Sequence, residues 1–192
     1  MEEFMNLSKT TKIISKIFEV MFFLSSLVMI ACTIFSFANP QLLGNFLLES
    51  VGNGTIATNG FEIQIAGKNG ELLVGAMRFF CFAGVFSMLA YTMIFRNIFL
   101  IVKNTEGKTW FSQGKTPFQK DNIRMIREIG IFSIFIPLFE IFLSIIAKIV
   151  LGVDNTEISV QINGIVMGIA VIFLSEIFSY GQKLEKDVEG LI

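Results

Sequence analysis

Histidine is absent from this 192-residue sequence, cysteine occurs twice, proline three times and tryptophan once. Without histidine the chain lacks the side chain that most often serves as general base and as metal ligand. The two thiols, Cys32 and Cys81, each lie in an apolar stretch with no second soft ligand beside them, which argues against a zinc or iron–sulfur centre. They read as small buried hydrophobes, with a disulfide between neighbouring helices as the alternative. Charge is scarce too, at 16% of residues, against roughly 25% in an ordinary soluble domain. The formal net charge is -1, so the basic excess of a nucleic-acid binder is missing and direct nucleic-acid binding is not expected.

Apolar residues are abundant: they make up 53% of the chain, with Phe alone occurring 22 times. A helix crossing the hydrocarbon core of a bilayer needs about 20 mostly apolar residues. Four stretches qualify. Val20 to Phe37 carries no charge and is closed by Asn39-Pro40, and Leu72 to Phe95 carries only Arg78. Ile129 to Leu151 holds Glu140 and, near its end, Lys148; Ile162 to Phe178 holds only Glu176. None shows the polar stripe of a soluble amphipathic helix. With their flanks, the predicted spans are 17–37, 72–98, 118–151 (the last beginning with an amphipathic segment) and 162–180. The first span follows a mixed-charge Met1-Glu2-Glu3 start and lacks a small-x-small cleavage site, so it is expected to be retained. The expected fold class is an all-α membrane protein, a single polytopic domain of four transmembrane helices surrounded by the lipid bilayer.

Lysine and arginine set the orientation. Lys9, Lys12 and Lys16 precede span 1; Arg96, Lys103, Lys108, Lys115, Lys120, Arg124 and Arg127 lie between spans 2 and 3; Lys183 and Lys186 are in the tail. The loop between spans 1 and 2 has only Lys68. Both termini, the loop 99–117 and the tail 181–192 are therefore expected in the cytoplasm, and the loop 38–71 outside. In that outer loop Phe61-Glu-Ile-Gln-Ile-Ala66 alternates after the turn signal Asn59-Gly60, and Ile158-Ser-Val-Gln-Ile162 alternates likewise. A small extracytoplasmic β-element joining the two is predicted, against the alternative of irregular loop. Asn53-Gly54-Thr55 fits the glycosylation acceptor pattern but is too short to carry weight.

The cytoplasmic loop is the most informative polar segment. Thr116-Pro117-Phe118-Gln119 predicts a helix start, with Thr as N-cap, Pro in the first turn and Gln three residues after the cap. Ile123, Ile126 and Ile129 then share one face, away from Lys120, Arg124, Arg127 and Glu128. Trp110 and Phe111, among lysines and glycines, suit the headgroup boundary. Membrane anchoring explains this composition. The sharper alternative is a surface for a cytosolic partner, with Trp110, Phe118, Lys120, Arg124 and Arg127 as docking candidates.

Within the spans, Glu140 lies near the middle of the third, three residues after Pro137, where an ionisable group is a functional candidate by default. Arg78 could reach outward to the membrane face or inward to Glu140. A proton or substrate pathway through Glu140 lacks a chain of further polar residues. Gly164 and Gly168 form a GxxxG pair that suits packing inside one bundle, with homo-oligomerisation as the alternative.

Gly114-Lys-Thr-Pro-Phe118, Asn122-Ile-Arg124 and Ile129-Gly130, together with Leu174-Ser-Glu-Ile-Phe178, Gly181, Leu184 and Glu185, resemble the pattern of a bacterial family of four-helix integral membrane proteins, one known only as a domain of unknown function. The resemblance implies a multi-pass protein of the bacterial cell membrane, whose gene lies beside one for a small helix-turn-helix regulator of the phage-repressor type. It implies no catalytic residue and no cofactor. The function expected is accordingly non-enzymatic: a regulatory or sensor protein binding a cytosolic helix-turn-helix regulator. Alternatives are an immunity protein against membrane-active peptides, or a small transporter or channel component using Glu140. An enzyme is least expected, because no polar groups converge: Glu19, Glu140 and Glu176 are far apart along their spans.

Overall fold

A computed structural model of the chain describes residues 2–52, 54–57, 61–67, 70–114, 116–151, 156–158 and 162–189. The order of elements is α1 (Glu2–Ala38), α2 (Pro40–Val51), β1 (Thr55–Ala57), β2 (Phe61–Gln64), α3 (Val74–Thr105), α4 (Lys120–Leu151), β3 (Thr156–Ile158) and α5 (Ile162–Glu189). Four of the helices are long and apolar enough to cross a membrane: Asn6–Ala38 within α1, Val74–Thr105, Lys120–Leu151 and Ile162–Val188. The protein is thus an all-α, multi-pass membrane protein, with the small β-element the sequence predicts. Its large outward-facing side chains are aliphatic and aromatic along all four, for example Ile34, Phe142 and Phe173, the pattern hydrocarbon solvent allows and water does not.

The helices outrun the predicted spans. α1 has 37 residues and α3 and α4 have 32 each, or about 48–55 Å at 1.5 Å per residue, while the hydrocarbon core is about 30 Å thick. The excess belongs to polar ends such as Lys9, Lys12 and Lys103, which continue the helix beyond the apolar run. Pro137 sits inside α4 without ending it.

The residues divide into two compact units. Unit 2 comprises Phe23–Leu89 and Phe135–Ile162. Here Asn39 both follows α1 and caps α2: its side-chain oxygen accepts from Leu42 N at 3.2 Å, and Pro40 fills the first turn, where no N–H is needed. α2 was not expected from the sequence, which reads Asn39-Pro40 only as the end of a span. Strands β1, β2 and β3 form an antiparallel sheet in that order, with Ile56 opposite Ile63 and Glu62 opposite Glu157. The alternation in 61–66 is realised: Ile63 and Ile65 are buried, Glu62 and Gln64 exposed. The third strand lies slightly earlier than predicted, and Ile162 opens α5 instead. The turn signal Asn59-Gly60 and the acceptor residue Asn53 lie outside the described residues. The core of unit 2 gathers Leu43, Ile63, Ile65, Met77, Cys81 and Leu143, with Cys32 packed against it. Both cysteines are free thiols, so the disulfide alternative is not realised.

Unit 1 comprises Met1–Phe22, Ala90–Ile134 and Asn163–Ile192. It therefore collects the start of α1, the end of α3, the loop 106–119, the start of α4 and nearly all of α5. Phe18 stacks on Phe95 at 4.9 Å, and Phe22 lies between Phe95 and Tyr91 at 5.5 and 5.1 Å, a ring ladder between α1 and α3. α4 and α5 meet at Gly130 and Gly168. A Cβ on Gly168 would lie 2.7 Å from the Gly130 carbonyl oxygen, so two backbones are in contact where only glycine fits. Gly168 of the GxxxG pair is accordingly used for packing within the chain; Gly164 is half-buried one turn earlier on α5.

Candidate functional site

The residues with polar chemistry fall into a ring at the loop end of unit 1 and a buried pair in unit 2. The ring is built on the segment joining α3 to α4. Asn104, in the last turn of α3, is fully buried, and its amide donates to Gln119 Oε1 at 3.0 Å and to Asn122 Oδ1 at 2.8 Å. Thr109 donates its hydroxyl to Asn104 Oδ1. Gln119 in turn donates to the carbonyls of Gly114 and Thr116, both at 2.9 Å, and accepts from Gln113 N at 2.9 Å. Asn122 donates to Pro117 O at 3.0 Å and Thr105 Oγ1 at 3.2 Å. Three neutral amides thus satisfy the backbone of a compact loop that has no regular structure to do so. Amides neither ionise nor attack, so this network fixes shape and performs no chemistry. Sequence reading missed it; three amides spaced at 104, 119 and 122 around a Gly-rich loop were the available signal.

The same network moves the helix start. α4 begins at Lys120, with Gln119 O accepting from Ile123 N at 3.1 Å. Gln119, expected to bond back to a Thr116 cap, is spent on the loop instead. Thr116 Oγ1 accepts from Phe118 N at 3.3 Å and donates to Glu185 Oε2 of α5 at 3.1 Å.

Of the docking candidates, Trp110 stands out at 96% exposed, its ring touching the edge of Phe111 at 5.3 Å. Lys120 and Arg124 are exposed, with Arg124 near Asp121 at 3.8 Å and Glu128 at 3.4 Å on its own helix. Arg127 reaches across to Glu176 of α5 at 2.7 Å. Glu176, the one charge of the fourth predicted span, is thus paired with Arg127. Phe118 turns inward: it packs on Phe178 at 5.4 Å, and a Cβ on Gly181 would meet its ring at 2.6 Å. It holds the loop to α5, which leaves Trp110, Lys120 and Arg124 as the accessible set.

Across the same loop end, Glu106 accepts from Ser8, from Lys12 at 2.6 Å and from Lys108 at 2.7 Å. The ammonium of Lys108, then that of Lys12, then the Ser8 hydroxyl draw its pKa down from the ordinary 4.5 to about 2. Beside this cluster a cleft of about 570 Å³ opens between the first turns of α1 and the last turns of α3.

In unit 2, Glu140 is 2% exposed; its Oε1 accepts from Ser87 at 3.0 Å, and Oε2 has no partner among the described residues. Arg78 gives its guanidinium to Ser36 O, at 3.3 Å from Nε and 3.1 Å from Nη2, and lies over Phe37 at 4.3 Å. It serves a carbonyl in the last turn of α1 that has no helical donor of its own. The Arg78–Glu140 pairing weighed from the sequence is not formed. Among the described residues no group of three or more His, Cys, Asp or Glu side chains is placed to hold a metal ion. Comparison with protein-family models, with curated proteins and with solved structures finds no match for this chain.

Proposed function

We propose that this is a non-enzymatic, regulatory membrane protein whose basic loop end faces the cytoplasm and docks a soluble transcription regulator of the helix-turn-helix type. The observation that carries the reading is the fully exposed Trp110 on a loop held in shape by three buried amides. Exposed tryptophan on a preformed surface is a characteristic anchor of protein interfaces, and the exposed Lys120 and Arg124 in the first turns of α4 supply steering charge. The lysine and arginine asymmetry supports the cytoplasmic placement. The resemblance at Gly114–Phe118 and Asn122–Arg124 falls on this loop and the first turn of α4 and supports the class of partner. The test is co-purification of the regulator encoded beside the gene, from native membranes. Trp110→Ala with Arg124→Glu is expected to abolish recovery while leaving the membrane level unchanged. If no DNA-binding protein is recovered with the wild type, or the double variant recovers it equally, the reading fails.

A second reading rests on Glu140. A buried carboxyl with one unpartnered oxygen is what a proton-linked carrier places in its path. It predicts flux in proteoliposomes that Glu140→Gln abolishes, and no flux in the wild type would exclude it.

A further inference from the structure

α2 is too short to cross a membrane and too apolar to stand in water. Its 12 residues give about 18 Å of helix, against a hydrocarbon core of roughly 30 Å. A helix turns about 100° per residue, so its side chains fall into three rows. The first faces inward. Leu43 and Gly44 are buried, Leu47 and Leu48 pack on the core of unit 2, and Gly44 lies against the Leu72 side chain with no room for a Cβ. Gln41, Asn45 and Glu49, one turn apart, form an exposed polar row. Leu42 and Phe46 form the third, apolar yet 57% and 63% exposed. Because the first row is pinned, the third cannot turn inward to be covered. Its place along the chain is equally definite. The uncharged run Val20–Phe37 makes about 27 Å of helix, enough to cross the hydrocarbon core by itself, and α1 ends with that run, at Ala38. Ile34 and Phe37 carry the exposed apolar surface of α1 to this end. Asn39 alone then separates α1 from α2, so Leu42 and Phe46 continue the lipid-facing surface just past the membrane boundary.

We propose that α2 is an in-plane helix of the membrane surface, lying where lipid headgroups meet acyl chains. Leu42 and Phe46 insert among the first methylenes, while Gln41, Asn45 and Glu49 face the headgroups and water. Interfacial helices commonly add attraction to anionic lipid through lysine and arginine. α2 contains neither, and its one charged side chain is Glu49. Its attachment therefore comes from apolar burial alone and does not depend on lipid charge. A second copy of the chain is the rival occupant. Leu42 and Phe46 expose only roughly 250 Å² between them, against about 800 Å² per partner in a stable dimer. The placement follows from the membrane-spanning helices and is independent of any regulator. It makes the start of the α1–α3 connection part of the membrane surface instead of a loop clear of it.

The test reads a single tryptophan by fluorescence, in the full chain carrying Trp110→Phe and reconstituted in phosphatidylcholine nanodiscs, which leave both membrane faces open to solutes. Phe46→Trp should lose at least about half of its emission when the lipid is brominated near the headgroup end of its chains, and less when bromine sits near the chain ends. Asn45→Trp, on the polar row, should behave in the opposite way. Aqueous iodide should quench it several-fold more than Phe46→Trp, and brominated lipid should quench it little. Replacing part of the phosphatidylcholine with phosphatidylglycerol should change neither variant. Equal iodide quenching of Phe46→Trp and Asn45→Trp overturns the proposal, since the apolar row then faces water. Insensitivity of Phe46→Trp to both quenchers also overturns it, because protein such as a second copy then covers the row. Stronger quenching by chain-end bromine, or a dependence on phosphatidylglycerol, contradicts the depth and the uncharged attachment respectively. Should Phe46→Trp fail to fold, Leu42→Trp on the same row gives the same readings.

Discussion

At the scale of single residues, burial separates the polar groups that hold this protein together from those that decorate it. Among the described residues, Ser87 donates the one hydrogen bond to the buried Glu140 carboxyl. Ser87→Ala therefore leaves both oxygens unpaired, at a cost of about 1–3 kcal/mol. Thermal unfolding in detergent checks this; a loss of only a few tenths would mean that another group satisfies Glu140. Glu106 is the opposite case, a carboxylate rich in donors. Its pKa is drawn down to about 2, so the stabilisation it gives is complete above the ordinary value near 4.5 and is lost as the pH falls toward 2. The gap in melting temperature between wild type and Glu106→Gln should be constant near neutral pH and close between pH 4.5 and 2. A gap independent of pH would show that the ion cluster contributes nothing. Glu140 as the principal intramembrane acid was legible in the sequence, because any charge in hydrocarbon is conspicuous. Its partner was not: serines at 26, 36, 87, 144 and 175 are all buried, and nothing in spacing tells which one faces the carboxyl.

At the scale of elements, helices were legible from apolar runs and strands from alternation, while the joints between them were not. Asn39-Pro40 signals both an end and a beginning, and only the burial of Leu43 and Gly44 shows that a helix follows. Thr116 was placed as a cap because the local pattern fits; the chain instead spends Gln119 on long-range bonds to Asn104, which local patterns cannot display. The close crossing of α4 and α5 is half-visible, since Gly168 belongs to a recognisable pair whereas its neighbour Gly130 stands alone in sequence. That crossing makes a definite demand. Gly168→Ala sets a methyl against the Gly130 carbonyl, a backbone atom that cannot step aside, and against Ile134. The helices must separate, destabilising by about 1–3 kcal/mol. Gly75→Ala meets only the tip of Leu151 and should cost much less. Equal melting temperatures for the two variants would contradict the crossing.

At the scale of the whole molecule, composition and the placement of lysine and arginine carry most of what is legible. Four apolar spans give the class. Both termini and the α3–α4 loop contribute to one unit, while the α1–α3 connection belongs to the other. Function is harder to read for a physical reason. The exposed polar groups of Lys120 and Arg124 are a docking surface or a solubilising rim with the same chemistry, and only a partner distinguishes them. Everything nevertheless depends on hydrocarbon being the solvent of Val28 and Phe142, each 59% exposed. Single cysteines at those two positions, with Cys32 and Cys81 replaced by alanine, can be tested in native membranes with a water-soluble maleimide, beside Trp110→Cys as a reference. Trp110→Cys is expected to label once both faces of the membrane are open to the reagent, while Val28→Cys and Phe142→Cys stay unmodified until the protein is denatured. Rapid labelling of Val28→Cys or Phe142→Cys in the folded protein would mean that water bathes these helices, and the account would be wrong.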